Sequence, residues 1–223
     1  MTTFISFGLP SFLNESLEKM GITIPTPIQG KSIPPGLEGC DILASAQTGT
    51  GKTIAYLVPL ITNLLNTPRS TALILAPTRE LAAQIQTTAR ALLGKKIEVA
   101  LLIGGDSMGK QLSALKRQPR VIIGTPGRIT DHLKRRTLRL EETRFLVLDE
   151  TDRMLDMGFS EALKKIVQHL PKERQTFMFS ATMPPTIKTL SLTYLTNPQH
   201  ISVGSTNEPA LKIKQESLKT SNT

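Results

Sequence analysis

Seven apolar, β-prone runs punctuate the chain at residues 41–46, 72–76, 99–103, 121–124, 145–149, 176–180 and 201–203. Within them apolar residues fall on consecutive positions, not alternate ones. Strands of that kind need cover on both faces, as in a parallel sheet held between helical layers. Between most of the runs lie stretches with helical spacing, among them 52–65, 80–93 and 160–170. The alternation predicts an α/β fold, doubly wound, with a mainly parallel sheet and helices on both faces. Ahead of it, Phe12, Leu13, Leu17 and Met20 recur at helical spacing over 10–20, with Ser11 placed to cap the start and Gly21 to stop it. Pro25 and Pro27 then hold the backbone extended and open a short helix, whose first turn carries Gln29 facing back toward the preceding segment.

Composition bounds the picture. A chain of 223 residues suffices for one substantial α/β domain, placed at 1–204, and not for a second of similar size. From 205 to 223 the sequence turns to Ser, Thr, Asn, Lys and Gln with little periodicity, which reads as a polar tail or the start of a linker. The chain is expected to continue beyond Thr223. A single cysteine, Cys40, excludes an internal disulfide and leaves no thiol cluster for a metal. The first nine residues lack a basic leader followed by an apolar core, and no window approaches the roughly eighteen apolar residues of a membrane span. A soluble cytoplasmic protein is expected.

The positive charge is concentrated in one segment. Residues 90–140 hold twelve Lys/Arg against Glu98, Asp106 and Asp131, a difference equal to the whole net charge of +9. Such a segment is either a solvated face or a track for a polyanion.

The candidate chemistry begins at Ala46-Gln47-Thr48-Gly49-Thr50-Gly51-Lys52-Thr53, where an apolar run turns into a helix. Backbone N–H groups at such a turn point outward, and Gly49 and Gly51 let the chain wrap an anion. Thr48, Gly49, Thr50 and Gly51 would line a phosphate loop, Lys52 would reach the terminal phosphates, and the Thr53 hydroxyl would take a Mg²⁺ position. Ala46 stands where a glycine is more common.

Ligands of open parallel sheets collect at the carboxyl ends of the strands. Immediately after the run at 145–149 come Asp149, Glu150 and Asp152, three acids in four positions. Beside a triphosphate, Asp149 suits a metal and Glu150 a hydrolytic water. Ser180 and Thr182 end another run. Two further loops, Pro77-Thr78-Arg79 and Thr125-Pro126-Gly127-Arg128, each place a hydroxyl and an arginine at a helix N-terminus, and Gly105, preceded by Gly104, permits close backbone approach. These groups hold phosphodiester oxygens without reading bases.

Together the motifs resemble those of the N-terminal RecA-like domain of DEAD-box RNA helicases, from Phe7 to about Val203. The family's phosphate loop begins with alanine, so Ala46 fits. The resemblance implies that Gln29, reached through Thr26 and assisted by Phe7 and Ile22, recognises the adenine of ATP. It implies that Lys52, Asp149 and Glu150 are catalytic with Mg²⁺ on Thr53 and Asp149. It further implies that Pro77, Thr78, Arg79, Gly105, Thr125, Pro126, Gly127 and Arg128 contact RNA, single-stranded or in a short duplex. Asp152, Ser180 and Thr182 would couple to a second RecA-like domain of the same full-length chain, and a monomeric bacterial enzyme is expected.

Two positions depart from the family pattern. Ile22 replaces an aromatic residue, forfeiting about 1 kcal/mol of stacking on the base, and Thr151 replaces the alanine of Asp-Glu-Ala-Asp. A small P-loop kinase or a GTPase would share the phosphate loop, although no Asn-Lys-x-Asp guanine motif occurs. A non-catalytic RNA- or partner-binding module with a vestigial ATP site is the remaining alternative.

Overall fold

One parallel sheet organises the chain, and the computed structural model describes residues 3–203 of it. The expected tail at 205–223 lies outside the described residues. After a 3-10 turn at Phe4–Phe7 come α1 (Ser11–Lys19), α2 (Pro27–Leu37), β1 (Ile42–Ala46), α3 (Lys52–Asn66), β2 (Thr71–Leu75) and α4 (Arg79–Leu93). They are followed by β3 (Val99–Leu102), α5 (Met108–Lys116), β4 (Val121–Gly124), α6 (Pro126–Lys134), β5 (Thr143–Leu148) and α7 (Thr151–Asp156). The remainder is α8 (Ser160–Gln168), β6 (Gln175–Ser180), α9 (Pro185–Tyr194) and β7 (Gln199–Val203). Strand order is β3-β4-β2-β5-β6-β1-β7, and every pairing between the described strands is parallel.

The consecutive apolar positions resolve into two cores. Ile42 and Ala44, Ala72 and Ile74, Val121 and Ile123, Phe145 and Val147, and Phe177 and Phe179 face one layer with α1 to α4. Leu43, Leu73 and Leu75, Ile122, Leu146 and Leu148, and Met178 face the other, against α6, α8 and α9. Alternation along a strand thus divides the same apolar run between two faces.

Local sequence sets the helix positions. Pro27 opens α2, and Thr26 and Gln29 complete a reciprocal capping box at its start. Pro34 and Pro35 fall in its last turn, where the helix is about to end. α2 crosses α3 closely: a β-carbon on Gly36 would lie 2.9 Å from the Pro59 ring. Ser11 does not cap α1. The N-cap is Pro10 and Ser11 is already helical, because the proline's extended backbone ends the irregular segment one residue earlier than the hydroxyl suggests.

The strand ends carry the functional consequence. β1, β2, β3, β4, β5 and β6 run the same way, so the loops after them share one edge of the sheet.

Candidate functional site

The phosphate loop leaves β1 at Ala46 and enters α3 at Lys52. Gly49 and Gly51 adopt φ values of 85° and 93°, the left-handed region that other residues occupy at a cost. Gly51 is required twice over, since a β-carbon there would collide with the Gln29 amide. Gln29 accepts from the Thr26 backbone N–H at 2.9 Å and donates to the Gly51 carbonyl at 3.1 Å. The Thr26 hydroxyl donates to the Thr50 carbonyl at 2.8 Å. The segment ahead of α2 is thereby bonded to the phosphate loop.

Lys52 is buried, and its Nζ has no hydrogen-bond partner among the described residues. A buried ammonium without a bonded partner is costly, and an anion in the loop above it would supply one. The residues present therefore fit a phosphate group. Thr53 follows on the first turn of α3.

Two strands away, β5 delivers Asp149 and Glu150. Asp149 is buried, accepts from the Tyr56 hydroxyl at 3.0 Å and from the Glu150 backbone N–H at 2.9 Å. Burial pushes its carboxyl above the ordinary range, while the Lys52 ammonium and the Tyr56 hydroxyl pull it back. Burial also pushes the Tyr56 phenol well above its ordinary value, with the Asp149 charge adding to the effect. Glu150 is the N-cap of α7 in a left-handed conformation, φ 49° and ψ 52°, uncommon for a residue with a β-carbon. Its carboxylate reaches the loop, with the Thr48 hydroxyl 3.4 Å from Oε1, while the Arg153 guanidinium of α7 lies 3.3 Å from Oε2.

Thr151 points away from this chemistry. It is fully buried, and its hydroxyl lies 3.2 Å from the Leu148 carbonyl and 3.1 Å from that of Phe179. Asp152 accepts from the Thr182 hydroxyl at 2.8 Å and the Thr182 N–H at 2.9 Å. Burial raises the Asp152 carboxyl, but the bonds from Thr182 and Arg153 outweigh it and hold the group below the usual carboxylate range. Ser180 is buried next to this pair, and its hydroxyl, which forms no close hydrogen bond among the described residues, lies near enough to help hold the Asp152 carboxyl down. Among the described residues no three His, Cys, Asp or Glu side chains converge as a metal site. Mg²⁺ needs only one or two carboxylates when phosphates complete its shell, so Asp149 and Thr53 remain compatible with it.

The arginine loops converge as well. Pro77, Thr78, Arg79, Gly104, Thr125, Gly127 and Arg128 line one open groove of about 620 Å³. Thr78 caps α4 by accepting from the Leu81 N–H at 3.2 Å. Gly105 has φ 77°, and the Arg79 guanidinium occupies the place that a β-carbon on it would need. Arg128 donates to the Asp106 carbonyl at 3.2 Å. Pro126 is buried behind the groove as the first residue of α6. Phe7 and Ile22 sit on the rim of the first core, half-buried, with Phe7 edge-on to Phe4 at 5.9 Å between centroids.

Sequence reasoning missed several partners of these residues: Tyr56 behind Asp149, Arg153 beside Glu150, and Met157 and Phe159 on the groove wall. Tyr56 was legible only as one more core residue of α3. The others fall within a helical turn or two of the acids.

A phosphate loop after β1 and an acidic pair after β5, at one edge of a parallel sheet, define a P-loop nucleotide-binding domain of the RecA-like class. The model of the DEAD/DEAH box helicase family matches residues 26–190, and the chain belongs to that family. It is 43% identical over 215 residues to the DEAD-box ATP-dependent RNA helicase CshA of Bacillus licheniformis, covering 96% of this chain and 44% of that protein. The ATP-dependent RNA helicase CshA of Listeria monocytogenes is 44% identical over 217 residues, covering 96% and 42%. The crystal structure of a DEAD box protein from the hyperthermophile Methanococcus jannaschii superposes with a TM-score of 0.86 at 37% identity, over 91% of this chain and 56% of that one. The chain thus spans less than half the length of these curated relatives. No described helix is long and apolar enough to cross a membrane.

Proposed function

We propose that the chain is the ATP-binding half of an ATP-dependent RNA helicase, a cytoplasmic bacterial enzyme acting as a monomer. The RecA-like unit spans 1–204, with 205–223 a polar tail or the start of a linker to a second RecA-like domain. The observation that carries this reading is Lys52. Its buried ammonium, without a hydrogen-bond partner among the described residues, lies beneath a glycine-bearing loop and near a buried acidic pair.

In this reading residues 48–53 bind the triphosphate of ATP through backbone N–H groups and Lys52. Gln29 with Phe7 and Ile22 selects adenine, and Gln29 also fixes the loop through Gly51. Thr53 and Asp149 would hold Mg²⁺, which when bound neutralises phosphate charge. Glu150 orients and deprotonates the attacking water. The Pro77, Thr125 and Gly105 loops hold the sugar-phosphate backbone of single-stranded RNA or a short duplex, with Arg79 and Arg128 supplying the charge. Asp152, Ser180 and Thr182 couple the site to the second domain, whose arginines complete charge stabilisation. Isolated, the chain binds ATP weakly and hydrolyses it slowly.

Titrating a labelled single-stranded RNA over a range of salt concentrations tests the nucleic-acid half. Replacing Arg79 or Arg128 by Ala is expected to weaken binding and to reduce the salt slope by about one unit each. Unchanged affinity and slope in both variants would exclude the groove as the RNA site.

A further inference from the structure

Two buried polar side chains stand behind the groove without forming its wall: Gln111 on α5 and His132 on α6, exposed by 1% and 0%. The Gln111 amide donates to the Ile103 carbonyl at 2.9 Å and to the Asp106 carbonyl at 3.3 Å. One side chain therefore spans the turn that contains Gly104 and Gly105. With both amide hydrogens committed, Oε1 faces His132 Nε2 at 3.1 Å. A carboxamide oxygen only accepts, so the network assigns the ring proton to Nε2, and Nδ1 is left as an acceptor 2.8 Å from the Thr137 hydroxyl, whose single hydrogen it shares with the His132 carbonyl at 3.2 Å. Burial pushes the His132 imidazolium down, with Arg128 adding to the effect, and keeps the ring neutral as this arrangement requires.

The turn so held has little else to hold it. Its two glycines offer no side chains, and Gly105 sits at φ 77°. On the groove side Arg79 lies against Gly104 and Gly105, and Arg128 Nη1 donates to the Asp106 carbonyl at 3.2 Å. Asp106 O thus accepts from Gln111 behind and from Arg128 in front. Burying an amide and an imidazole costs free energy unless every polar atom is matched; here each one is matched, and the chain of bonds ends on this turn.

We propose that Gln111 and His132 are positioning residues for nucleic-acid binding: they fix the backbone of residues 103–106 in register with Arg79 and Arg128, so that the groove is preformed before a phosphodiester enters it. The inference rests on the RNA reading above. Ordered backbone donors and guanidinium groups lose less freedom on binding. Neither residue touches the ligand. Both act through the turn.

The test compares the 223-residue chain with its Gln111→Met, Gln111→Glu and His132→Leu variants. Two readouts are needed: backbone hydrogen exchange by NMR, and binding of a short oligouridylate and of ATP. Gln111→Met removes both donors, and Gln111→Glu keeps the acceptor toward His132 while losing them. Both are expected to accelerate exchange at residues 104–107 and to weaken oligouridylate binding by roughly fivefold, the worth of about one hydrogen bond, with ATP affinity unchanged. His132→Leu is expected to shift both readouts in the same direction. Added to Gln111→Met, it should bring no further loss, because the two residues act as one unit.

A cooperatively folded Gln111→Met variant with wild-type exchange and wild-type oligouridylate affinity would overturn the inference. So would equal losses of RNA and ATP binding in step with a lower melting temperature, which mark general destabilisation. If the unaltered chain binds no oligouridylate yet the variants loosen the turn, the RNA reading fails while the structural relay stands.

Discussion

The Tyr56 hydroxyl donates to Asp149 Oδ2 at 3.0 Å, joining the helix behind the phosphate loop to the acid at the end of β5. Both groups are buried. The bond fixes one carboxylate oxygen against the core and leaves the acid's other oxygen on the Glu150 N–H. An acid so fixed is ready for a cation without rearrangement, at the expense of carrying charge in the protein interior.

That expense gives a pH signature. The folded-state pKa of Asp149 is raised above its unfolded value of 3.8 by burial, so the native state binds the proton more tightly than the unfolded chain does. The penalty sets in as pH rises from 3.8 through the raised folded value and is fully present above it. Without Mg²⁺, Asp149→Asn is expected to raise the melting temperature at neutral pH, and the gain should shrink as pH falls toward 3.8. Tyr56→Phe should do the opposite at neutral pH, costing about 1–2 kcal/mol for the lost buried bond. Thermal melts across pH check both signs.

Gln29 bridges two backbones, and removing it should cost in two ways. Gln29→Ala loses half of the capping box, worth about 1 kcal/mol of stability, and frees the Gly51 carbonyl. ATP affinity is expected to fall by about tenfold, more than the stability change predicts for a residue acting only as a cap. Calorimetric titration alongside a thermal melt separates the two effects.

Glu150→Gln keeps the shape of the side chain and removes the proposed base. ATP binding is expected to remain, and phosphate release should fall by about two orders of magnitude or more. The Arg153 ion pair is more than half exposed on the arginine side, so its loss should change stability by less than about 0.5 kcal/mol. Chemical denaturation and a phosphate-release assay provide the check.

The buried Thr151 side chain sits between two strands and not among the acids that flank it in sequence. Its hydroxyl is engaged with the carbonyls of Leu148 and Phe179, which ties the start of α7 to β6. Thr151→Ala is expected to lower stability by about 1 kcal/mol and to leave ATP turnover within about twofold of the unaltered chain. A several-fold rise in turnover would show that the threonine restrains the neighbouring acids.

Much of the fold was legible because each apolar run carried its own message: apolar side chains at consecutive positions require a covered sheet, and the structure divides them between two cores. The placement of residues 46–53 and of Asp149 and Glu150 at strand ends was legible because each motif is contiguous in sequence. Tyr56 and the Gln111 and His132 pair were not, because their roles depend on atoms 93 and 21 residues away, respectively, brought together only by packing. Ser11 misled for a local reason. A hydroxyl after Pro10 looks like a cap, but the proline had already taken the extended N-cap conformation.

The proposed function requires that residues 48–53 hold a nucleoside triphosphate through Lys52. An equilibrium titration of the 223-residue chain with a fluorescent ATP analogue and Mg²⁺, alongside Lys52→Met, tests it most directly. The expected result is weak, saturable binding that ATP displaces better than GTP and that is lost in the variant, with cooperative unfolding retained. Binding that survives Lys52→Met, or no saturable binding by the unaltered chain, would contradict it.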